Sequence, residues 1–252
     1  MAIQLNPMEQ FELKPLVPIH LFGYDVSFTN QSLLMVVVAV AASLFLTLAM
    51  SKRSLVPSRT QSMAEMSYEF VVNMMRSSTG EDGLRFFPFV FTIFIFVLFS
   101  NFLGMIPGSF TVTSQIVVTF ALAALVILTV IVTGFVKHGI GFLKLFVPKA
   151  PWYLLILLVP IEVISFLTRP ISLSVRLFAN MLAGHTMLAV FGGFVVLLGG
   201  AGGVLALLSL APMALIVAIM LLELLVAFLQ AYVFAILTCI YLNEALHLHD
   251  NH

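Results

Sequence analysis

The chain has 252 residues, of which 62% are hydrophobic and 9% are charged, and its eleven basic and eleven acidic side chains cancel to a net charge of zero. Soluble domains carry about 25% charged residues, so this composition excludes a soluble domain and a disordered chain. Zero net charge argues against nucleic-acid binding, and a single cysteine, Cys239, excludes an internal disulfide framework. We predict an all-α polytopic membrane protein that forms a single membrane domain over residues 1–252.

The N-terminal part of the chain is predicted to hold one membrane span and one surface helix. Residues 1–30 are mixed and polar, without the basic stretch and short apolar run of a cleavable signal, and we assign them to the outside. Residues 31–50 carry no charge and are long enough for a transmembrane helix. Residues 60–78 place methionines and other apolar side chains at helical spacing between polar ones, which predicts an amphipathic helix on the inner membrane surface.

The next stretch has no charge from 86 to 136, which is enough for a transmembrane hairpin with spans at 87–106 and 115–136. Pro107 and Gly108 favour a turn between the two spans, and that loop has no charge. Basic residues lie instead after the first span and after the third. By the positive-inside rule, these two segments and the C-terminus are inside and the N-terminus is outside. The basic residues are Lys52, Arg53, Arg59, Arg76 and Arg85 in one segment and Lys137, Lys144 and Lys149 in the other.

The second half of the chain is predicted to form two long helices, 152–198 and 204–245, joined by a glycine-rich turn. Pro160 and Pro170 interrupt the early part of the first helix, whereas residues 213–242 contain neither Gly nor Pro. This last stretch alone would be about 45 Å long, although the hydrocarbon core is only about 30 Å thick. Both helices are therefore predicted to be strongly tilted or to project beyond the lipid.

Four charged residues, Glu162, Arg169, Arg176 and Glu223, lie inside the two long helices. Each costs about 2.5–3.5 kcal/mol at membrane depth even on the lenient insertion scale, and arginine cannot escape by losing its proton. An internal ion pair that stabilises helix packing is one explanation, but four such residues are hard to explain by structure alone. Glu244, near the end of the last helix, is interpreted as a solvated helix-end charge.

Helical geometry places the polar residues of each long helix on one face. At about 100° per residue, one set on the first helix falls within about 80° and extends about 27 Å along the axis. Such a stripe needs water or a polar partner beside it. On the last helix Glu223, Gln230 and Tyr241 share a face, and His185 lies about 13 Å beyond Arg176 on the first. The first stripe consists of Glu162, Ser165, Arg169, Ser172, Arg176 and Asn180.

Titratable Glu and His side chains that follow one another through a membrane indicate a proton path. Arg176 cannot relay protons, but its fixed charge favours the ionised form of a nearby carboxylate and blocks leakage between two half-paths. Glu162 is about 21 Å away along the helix. The carboxylate that faces Arg176 is therefore either Glu223 or a residue of another subunit. Glu162 marks one end of the path, and His185 and Glu223 mark the other.

Three stretches of this sequence resemble subunit a of the rotary F-type ATP synthase. Residues 172–185 read SLSVRLFANMLAGH and closely resemble the signature of that family. Residues 229–234, LQAYVF, look like the matching part of its last helix, and residues 98–107, LFSNFLGMIP, are similar to its second transmembrane span. The motifs occur in the family's order and spacing over roughly 70–242.

The resemblance implies a fold in which one peripheral transmembrane helix and a hairpin support two long tilted helices against a ring of c subunits. It implies that Arg176 is an essential stator arginine that faces the rotor carboxylate and that Asn180 and Gln230 lie close to it. Glu162 would line the half-channel open to the ATP-making side, and His185 and Glu223 the half-channel for proton uptake. Ser172 and Tyr241 complete the set of predicted proton-translocation residues because they lie on the two polar stripes.

The same resemblance implies a subunit that conducts ions and has no catalytic residues, cofactor or metal of its own. The expected partners are the c-ring, b-type peripheral stalk subunits and the lipid bilayer, with no nucleic acid. The expected location is the bacterial inner membrane or the mitochondrial inner membrane, because the pairing of His185 with Glu223 is similar to that branch of the family. The C-terminal residues His247, His249, Asp250 and His252 could bind metal by their spacing, but a solvated tail is the favoured interpretation.

Two other functional classes were weighed against this one. A self-contained proton-coupled secondary transporter usually shows internal repeats around a midplane site, and the two halves of this chain differ in character. An intramembrane serine hydrolase would need Ser172 or Ser174 beside His185, but along one helix these serines are at least about 16 Å from that histidine. The transporter is the stronger alternative of the two.

Overall fold

The computed structural model describes residues 15–18, 20–21, 24–25, 27–51, 57–106, 111–147 and 151–247. The features predicted outside these residues are Lys52, Arg53, Pro107, Gly108, Lys149, His249, Asp250 and His252. Within the described residues the chain is predominantly helical, with a few short strands near the N-terminus.

The N-terminal segment contains two small antiparallel ladders for which no strand was predicted. Strand β1 (Pro15–Val17) pairs with β4 (Phe28–Thr29), and β2 (His20–Leu21) pairs with β3 (Tyr24–Asp25). Two-stranded ladders of this length are weak structures on their own. They precede the first helix directly, since helix α1 begins at Asn30.

Three apolar helices occupy the positions expected for single membrane spans. They are α1 (Asn30–Ser51), α3 (Phe87–Gly104) and α4 (Ile116–His138). Each begins and ends within two residues of its predicted bounds. A charge-free run of about 20 residues can satisfy all backbone hydrogen bonds within lipid only as a helix, so composition alone determines these elements.

Helix α2 (Arg59–Thr79) begins at a Ser58 cap, whose hydroxyl accepts a hydrogen bond from the Gln61 backbone N–H at 3.3 Å. It ends at Gly80, which adopts a left-handed φ of 67°. The predicted single apolar face is wrong in detail because the methionines divide between two faces. Met75 is buried in the protein, whereas Met63 is exposed. Contact of this helix with the inner membrane surface stays a prediction.

Three short 3-10 segments connect the helices: Glu81–Phe86, Val112–Ser114 and Gly139–Phe146. The first is linked to α2 by an ion pair in which Arg76 Nε lies 3.3 Å from Glu81 Oε1. The third begins at Gly139, whose φ of 56° lets the chain leave the axis of α4. These segments position the polar groups that lie at the ends of the membrane helices.

Helix α5 (Trp152–Gly200) is continuous, although Pro160 and Pro170 lie inside it. Each proline removes one backbone donor, but ending the helix within lipid would leave several backbone groups without partners. The prediction that the prolines interrupt the helix is therefore wrong. The 49 residues of α5 extend about 74 Å, more than twice the thickness of a hydrocarbon core.

The predicted second long helix, 204–245, is divided in two. Helix α6 (Gly203–Leu208) ends at Ser209, and α7 (Leu210–Leu246) continues from there. Pro212 has no N–H to donate to the Leu208 carbonyl, and its ring crowds that carbonyl. The Ser209 hydroxyl also donates to the Ala206 carbonyl at 2.6 Å, which favours the turn. Helix α7, at 37 residues, is about 56 Å long.

The chain is an all-α polytopic membrane protein. Among the described residues, five helical segments are long and apolar enough to cross a membrane. Helices α5 and α7 carry large exposed apolar side chains such as Ile156, Leu221 and Leu222, which suits a surface that faces lipid. The predicted strong tilt of these two helices is an expectation from their length.

The chain forms two compact units, each built from three separate segments. The first unit consists of Met1–Ala42, Phe96–Gln115 and Leu177–Gln230, and its fully buried side chains include Val97 and Leu177. Its remaining contacts are largely polar and are described below.

The second unit has an aromatic core. It consists of Ser43–Ile95, Ile116–Arg176 and Ala231–His252. The Phe70 ring on α2 lies 5.8 Å from the Phe94 ring on α3 and 5.6 Å from the Tyr232 ring on α7. These ring contacts join three helices within this unit.

Candidate functional site

The polar stripe predicted on α5 lies largely on the exposed surface of the chain. Ser172, Arg176 and Asn180 follow one another at intervals of four residues and are all exposed. Arg176 is the central residue of α5, 24 positions from Trp152 and 24 from Gly200. None of the ion pairs formed among the described residues includes Arg176. The central cation of a membrane helix thus faces outward and has no acidic partner of its own chain.

Asn180 and Gln230 connect the polar faces of α5 and α7 within the first unit. Asn180 Nδ2 donates a hydrogen bond to Gln230 Oε1 at 3.0 Å. Gln230 is buried, and its Nε2 atom donates to no acceptor among the described residues. One turn separates Asn180 from Arg176, so this amide pair lies beside the central cation on the same helix face.

His185 and Glu223 form a buried titratable pair, also in the first unit. His185 Nε2 lies 3.5 Å from Glu223 Oε1, and the two side chains are 10% and 4% exposed. Neither carboxylate oxygen accepts a hydrogen bond from the described residues. The approach depends on Gly184, because a Cβ atom there would lie 2.7 Å from Glu223 Oε1. The structure therefore brings together two residues that the sequence only placed on separate helices.

The imidazole of His185 has a second partner in the segment before α4. Thr111 Oγ1 lies 3.1 Å from His185 Nε2, and the Ser114 hydroxyl donates to the Thr111 carbonyl at 2.6 Å. Both hydroxyl residues are buried. A side-chain hydroxyl can both donate and accept, so Thr111 can follow either protonation state of the imidazole.

A further buried polar chain supports this region. Thr113 Oγ1 donates to Asn101 Oδ1 at 3.0 Å, and Asn101 Nδ2 donates to the Ala227 carbonyl at 3.1 Å. Asn101 and Thr113 have no exposed surface. Because Ala227 is one turn after Glu223, this chain joins α3 to the turn of α7 that holds the carboxylate.

Arg169 has a partner that the sequence did not indicate. Within the second unit its guanidinium ion-pairs with Glu244, with side-chain exposures of 23% and 28%, so Glu244 is not a freely solvated helix-end charge. The guanidinium also lies 5.1 Å from the centroid of the buried Tyr241 ring and 5.7 Å from that of Phe166. Helices α5 and α7 approach closely here because the pair neutralises both charges.

The remaining predicted site residues are placed less specifically. Glu162 is half-buried, and within the described part of the chain it forms neither a hydrogen bond nor an ion pair. Ser174, unlike the exposed Ser172, is buried and lies 3.1 Å from Thr119 between their hydroxyl oxygens. In the described ranges, no group of three or more His, Cys, Asp or Glu side chains could hold a metal ion, and Cys239 is buried and free.

Comparison with known proteins assigns this arrangement to a family. The model of the family described as ATP synthase A chain matches residues 32–243. The chain is 62% identical over 247 residues to the ATP synthase subunit a of Mesorhizobium japonicum, covering 98% of each protein. It is 63% identical over 243 residues to the ATP synthase subunit a of Chelativorans sp., covering 96% of this chain and 98% of the relative.

The chain belongs to the ATP synthase A chain family. Members of this family are the proton-translocating subunit of the membrane sector of ATP synthase, so the chain is a multi-pass membrane component of that complex. The resemblance drawn from residues 98–107, 172–185 and 229–234 is therefore confirmed. These motifs lie on α3, α5 and α7, the three helices that carry the polar contacts of the first unit.

Several members of the buried polar set of this ATP synthase A chain were not singled out from sequence. Thr111, Thr113 and Ser114 are uncharged, and hydroxyl residues between two spans are usual in any membrane protein. The signal available was local: three hydroxyls within four residues, directly before a membrane helix, together with an amide at Asn101 inside a charge-free span. Buried amides and hydroxyls within membrane helices need partners, which makes them markers of polar contacts.

Proposed function

We propose that this subunit forms two offset half-channels against a c-ring and that Arg176 forces protons to leave the rotor carboxylate. The observation that carries the proposal is the exposed, unpaired position of Arg176 at the centre of α5. A permanent cation at membrane depth costs several kcal/mol unless an anion or water faces it. Its own chain does not supply that anion among the described ion pairs, which favours a carboxylate of another subunit.

The nearest alternatives within the chain are already engaged. Glu223 pairs with His185, and Glu244 pairs with Arg169. A rotor carboxylate that reaches Arg176 is stabilised in its ionised form by direct Coulomb attraction and therefore releases its proton. When it moves away into lipid it must be protonated again. The fixed charge also prevents protons from crossing directly between the two half-channels.

We assign proton uptake to the buried pair of His185 and Glu223. Both groups titrate, they lie within one short step of each other, and Thr111 adds a hydroxyl on the imidazole. We assign release to the side of Glu162, which is half-buried on the other half of α5. In this proposal Asn180 and Gln230 stabilise the polar surroundings of Arg176, and Ser172 and Tyr241 belong to the polar lining.

The assembly follows the same reasoning. The exposed face of Arg176 and Asn180 is the surface for the c-ring, and b-type peripheral stalk subunits hold the chain as a stator. The basic segments that contain Arg76 and Lys137 are placed inside by the positive-inside rule. This puts the C-terminus inside and the N-terminus outside, in a bacterial inner membrane. The chain itself makes no covalent change; ATP is formed on other subunits.

The test is ATP-driven proton pumping in inverted membrane vesicles that carry Arg176→Ala or Arg176→Gln in the intact complex. We expect pumping to fall to background while the complex still assembles and hydrolyses ATP. Arg59→Gln is the matched control, because Arg59 is an exposed arginine at the start of α2, outside the membrane spans. Retained pumping in either Arg176 variant would overturn the mechanism, since no other cation occupies the centre of α5.

A further inference from the structure

A cavity of about 550 Å³ opens on the second unit where α4 and α7 end and α3 begins. Its volume lies within the ~300–1,000 Å³ typical of small-molecule sites. None of its residues belongs to the proposed proton path. The cavity is lined by Asp82, Arg85, Phe86, Val132, Thr133, Val136, Lys137 and Leu246.

The two cations of the cavity lie at a boundary between membrane and water. Arg85 comes two residues before α3 begins at Phe87, and Lys137 is the penultimate residue of α4. Both helices are apolar beyond these positions and long enough to span the bilayer. Side chains at the ends of such spans are at headgroup depth, and the positive-inside rule assigns this end to the inner leaflet.

The charges around the cavity are incompletely balanced. Asp82 Oδ2 lies 3.8 Å from Lys137 Nζ and 3.9 Å from His247 Nε2, at side-chain exposures of 58%, 40% and 29%. These are long, exposed contacts that contribute little. Arg85 is exposed, and it is in none of the ion pairs formed among the described residues. Two cations and one carboxylate therefore leave a net positive charge when His247 is neutral.

The wall next to these cations is apolar and open to lipid. Val132 and Val136 follow one another by one turn on α4 and are 52% and 83% exposed, and Ile140 continues the same line with 83% exposure. Leu246 closes the opposite side of the cavity and is buried. An inorganic anion would gain nothing from this wall, whereas an acyl chain would bury it at about 25 cal/mol per Å².

We propose that the cavity binds an anionic phospholipid. Its phosphate lies between Arg85 and Lys137, and an acyl chain runs along Val132 and Val136. The guanidinium of Arg85 suits two parallel hydrogen bonds to phosphate oxygens, and the ammonium of Lys137 adds a point charge. Basic pockets between membrane helices on the cytoplasmic side recognise such headgroups by the same chemistry. Asp82 weakens the site, because it competes for Lys137 and repels the phosphate.

The test uses the intact complex, purified in detergent and stripped of lipid, with a benzophenone amino acid in place of Val136. Phosphatidylglycerol is titrated in against a constant excess of phosphatidylcholine, and the cross-linked lipid is identified by mass. We expect saturable cross-linking of phosphatidylglycerol. Arg85→Gln and Lys137→Gln are each expected to weaken its apparent affinity about fivefold, the loss expected for one basic residue near a lipid surface. Arg59→Gln is the matched control and is expected to change nothing.

Asp82→Asn gives an outcome of the opposite sign. Removal of this carboxylate is expected to tighten phosphatidylglycerol binding several-fold, which a general loss of structure would not produce. Equal cross-linking of phosphatidylcholine and phosphatidylglycerol would overturn the proposal, and so would weaker binding in Asp82→Asn. Inorganic phosphate at millimolar concentration is expected not to displace the lipid; displacement would show a site for a free anion instead.

Discussion

His185 on α5 and Glu223 on α7 are buried against each other, with Nε2 of the imidazole 3.5 Å from Oε1 of the carboxylate. The two residues are 38 positions apart in the sequence, and each is the titratable group of an otherwise apolar stretch. A buried carboxylate without hydrogen bonds is costly when ionised, and a nearby imidazolium reduces that cost. Protonation of one member is therefore coupled to that of the other.

The first prediction concerns the order of the two groups. Glu223→His and His185→Glu are each expected to lower ATP-driven proton pumping, because each leaves two like groups in contact. The double variant His185→Glu with Glu223→His restores one carboxylate and one imidazole at the same contact. We expect it to pump about tenfold better than the product of the single effects predicts, the scale of coupling for residues in contact.

This exchange has its own control. The swap keeps composition and net charge unchanged, so differences between the double variant and wild type report position rather than charge. The measurement is the initial rate of vesicle acidification at equal amounts of assembled complex. A double variant that is no better than multiplied single effects would mean that the two groups act independently.

The second prediction uses the close approach at Gly184. A Cβ atom added there would lie 2.7 Å from Glu223 Oε1, so Gly184→Ala is expected to displace the carboxylate from His185. Misplacement by about an ångström can reduce a positioned reaction by as much as 100-fold, and we expect pumping to fall at least tenfold. Glu223→Asp in the same chain shortens the acid by one methylene and is expected to restore part of the rate.

Gly192→Ala is the control for that substitution. Gly192 lies two turns further along the same helix and has no atom within 4 Å of an added Cβ. Both changes raise helix propensity equally. If both variants pump alike, the contact with Glu223 does not limit transport.

The third prediction addresses the amide bridge beside Arg176. Asn180→Leu and Gln230→Leu each break the 3.0 Å hydrogen bond and leave the other amide without its partner. We expect each single variant to lower pumping, and the double variant to be no worse than the more damaging single one. The measurement is a double-mutant cycle on pumping rates. Multiplying effects would show that the two amides contribute separately.

The fourth prediction is about stability. Glu244→Gln leaves Arg169 partly buried without its carboxylate, and charged hydrogen bonds contribute about 1.5–3 kcal/mol. We expect the temperature at which the detergent-solubilised complex loses this subunit to fall by about 2–4 °C for each kcal/mol. Glu69→Gln is the matched control, since Glu69 is exposed on α2. Equal melting of the two variants would contradict a structural role for the ion pair.

The membrane helices could be predicted to within a few residues from the sequence. Charge-free runs longer than a bilayer core have a single stable backbone solution, so α1, α3 and α4 follow from composition. The helical period also placed Ser172, Arg176 and Asn180 on one face. Failures occurred where local signals compete. The break at Ser209 depends on a proline three residues later, and the continuity through Pro160 depends on the cost of ending a helix in lipid.

The sequence by itself determined the class of protein, its spans, the rarity of buried charge and, through residues 172–185, the family. Tertiary structure decided which polar groups meet: His185 with Glu223 and Thr111, and Arg169 with Glu244. The reason is one of range. Periodicity describes neighbours one turn apart on one helix, whereas partners on different helices depend on how those helices pack along their whole length.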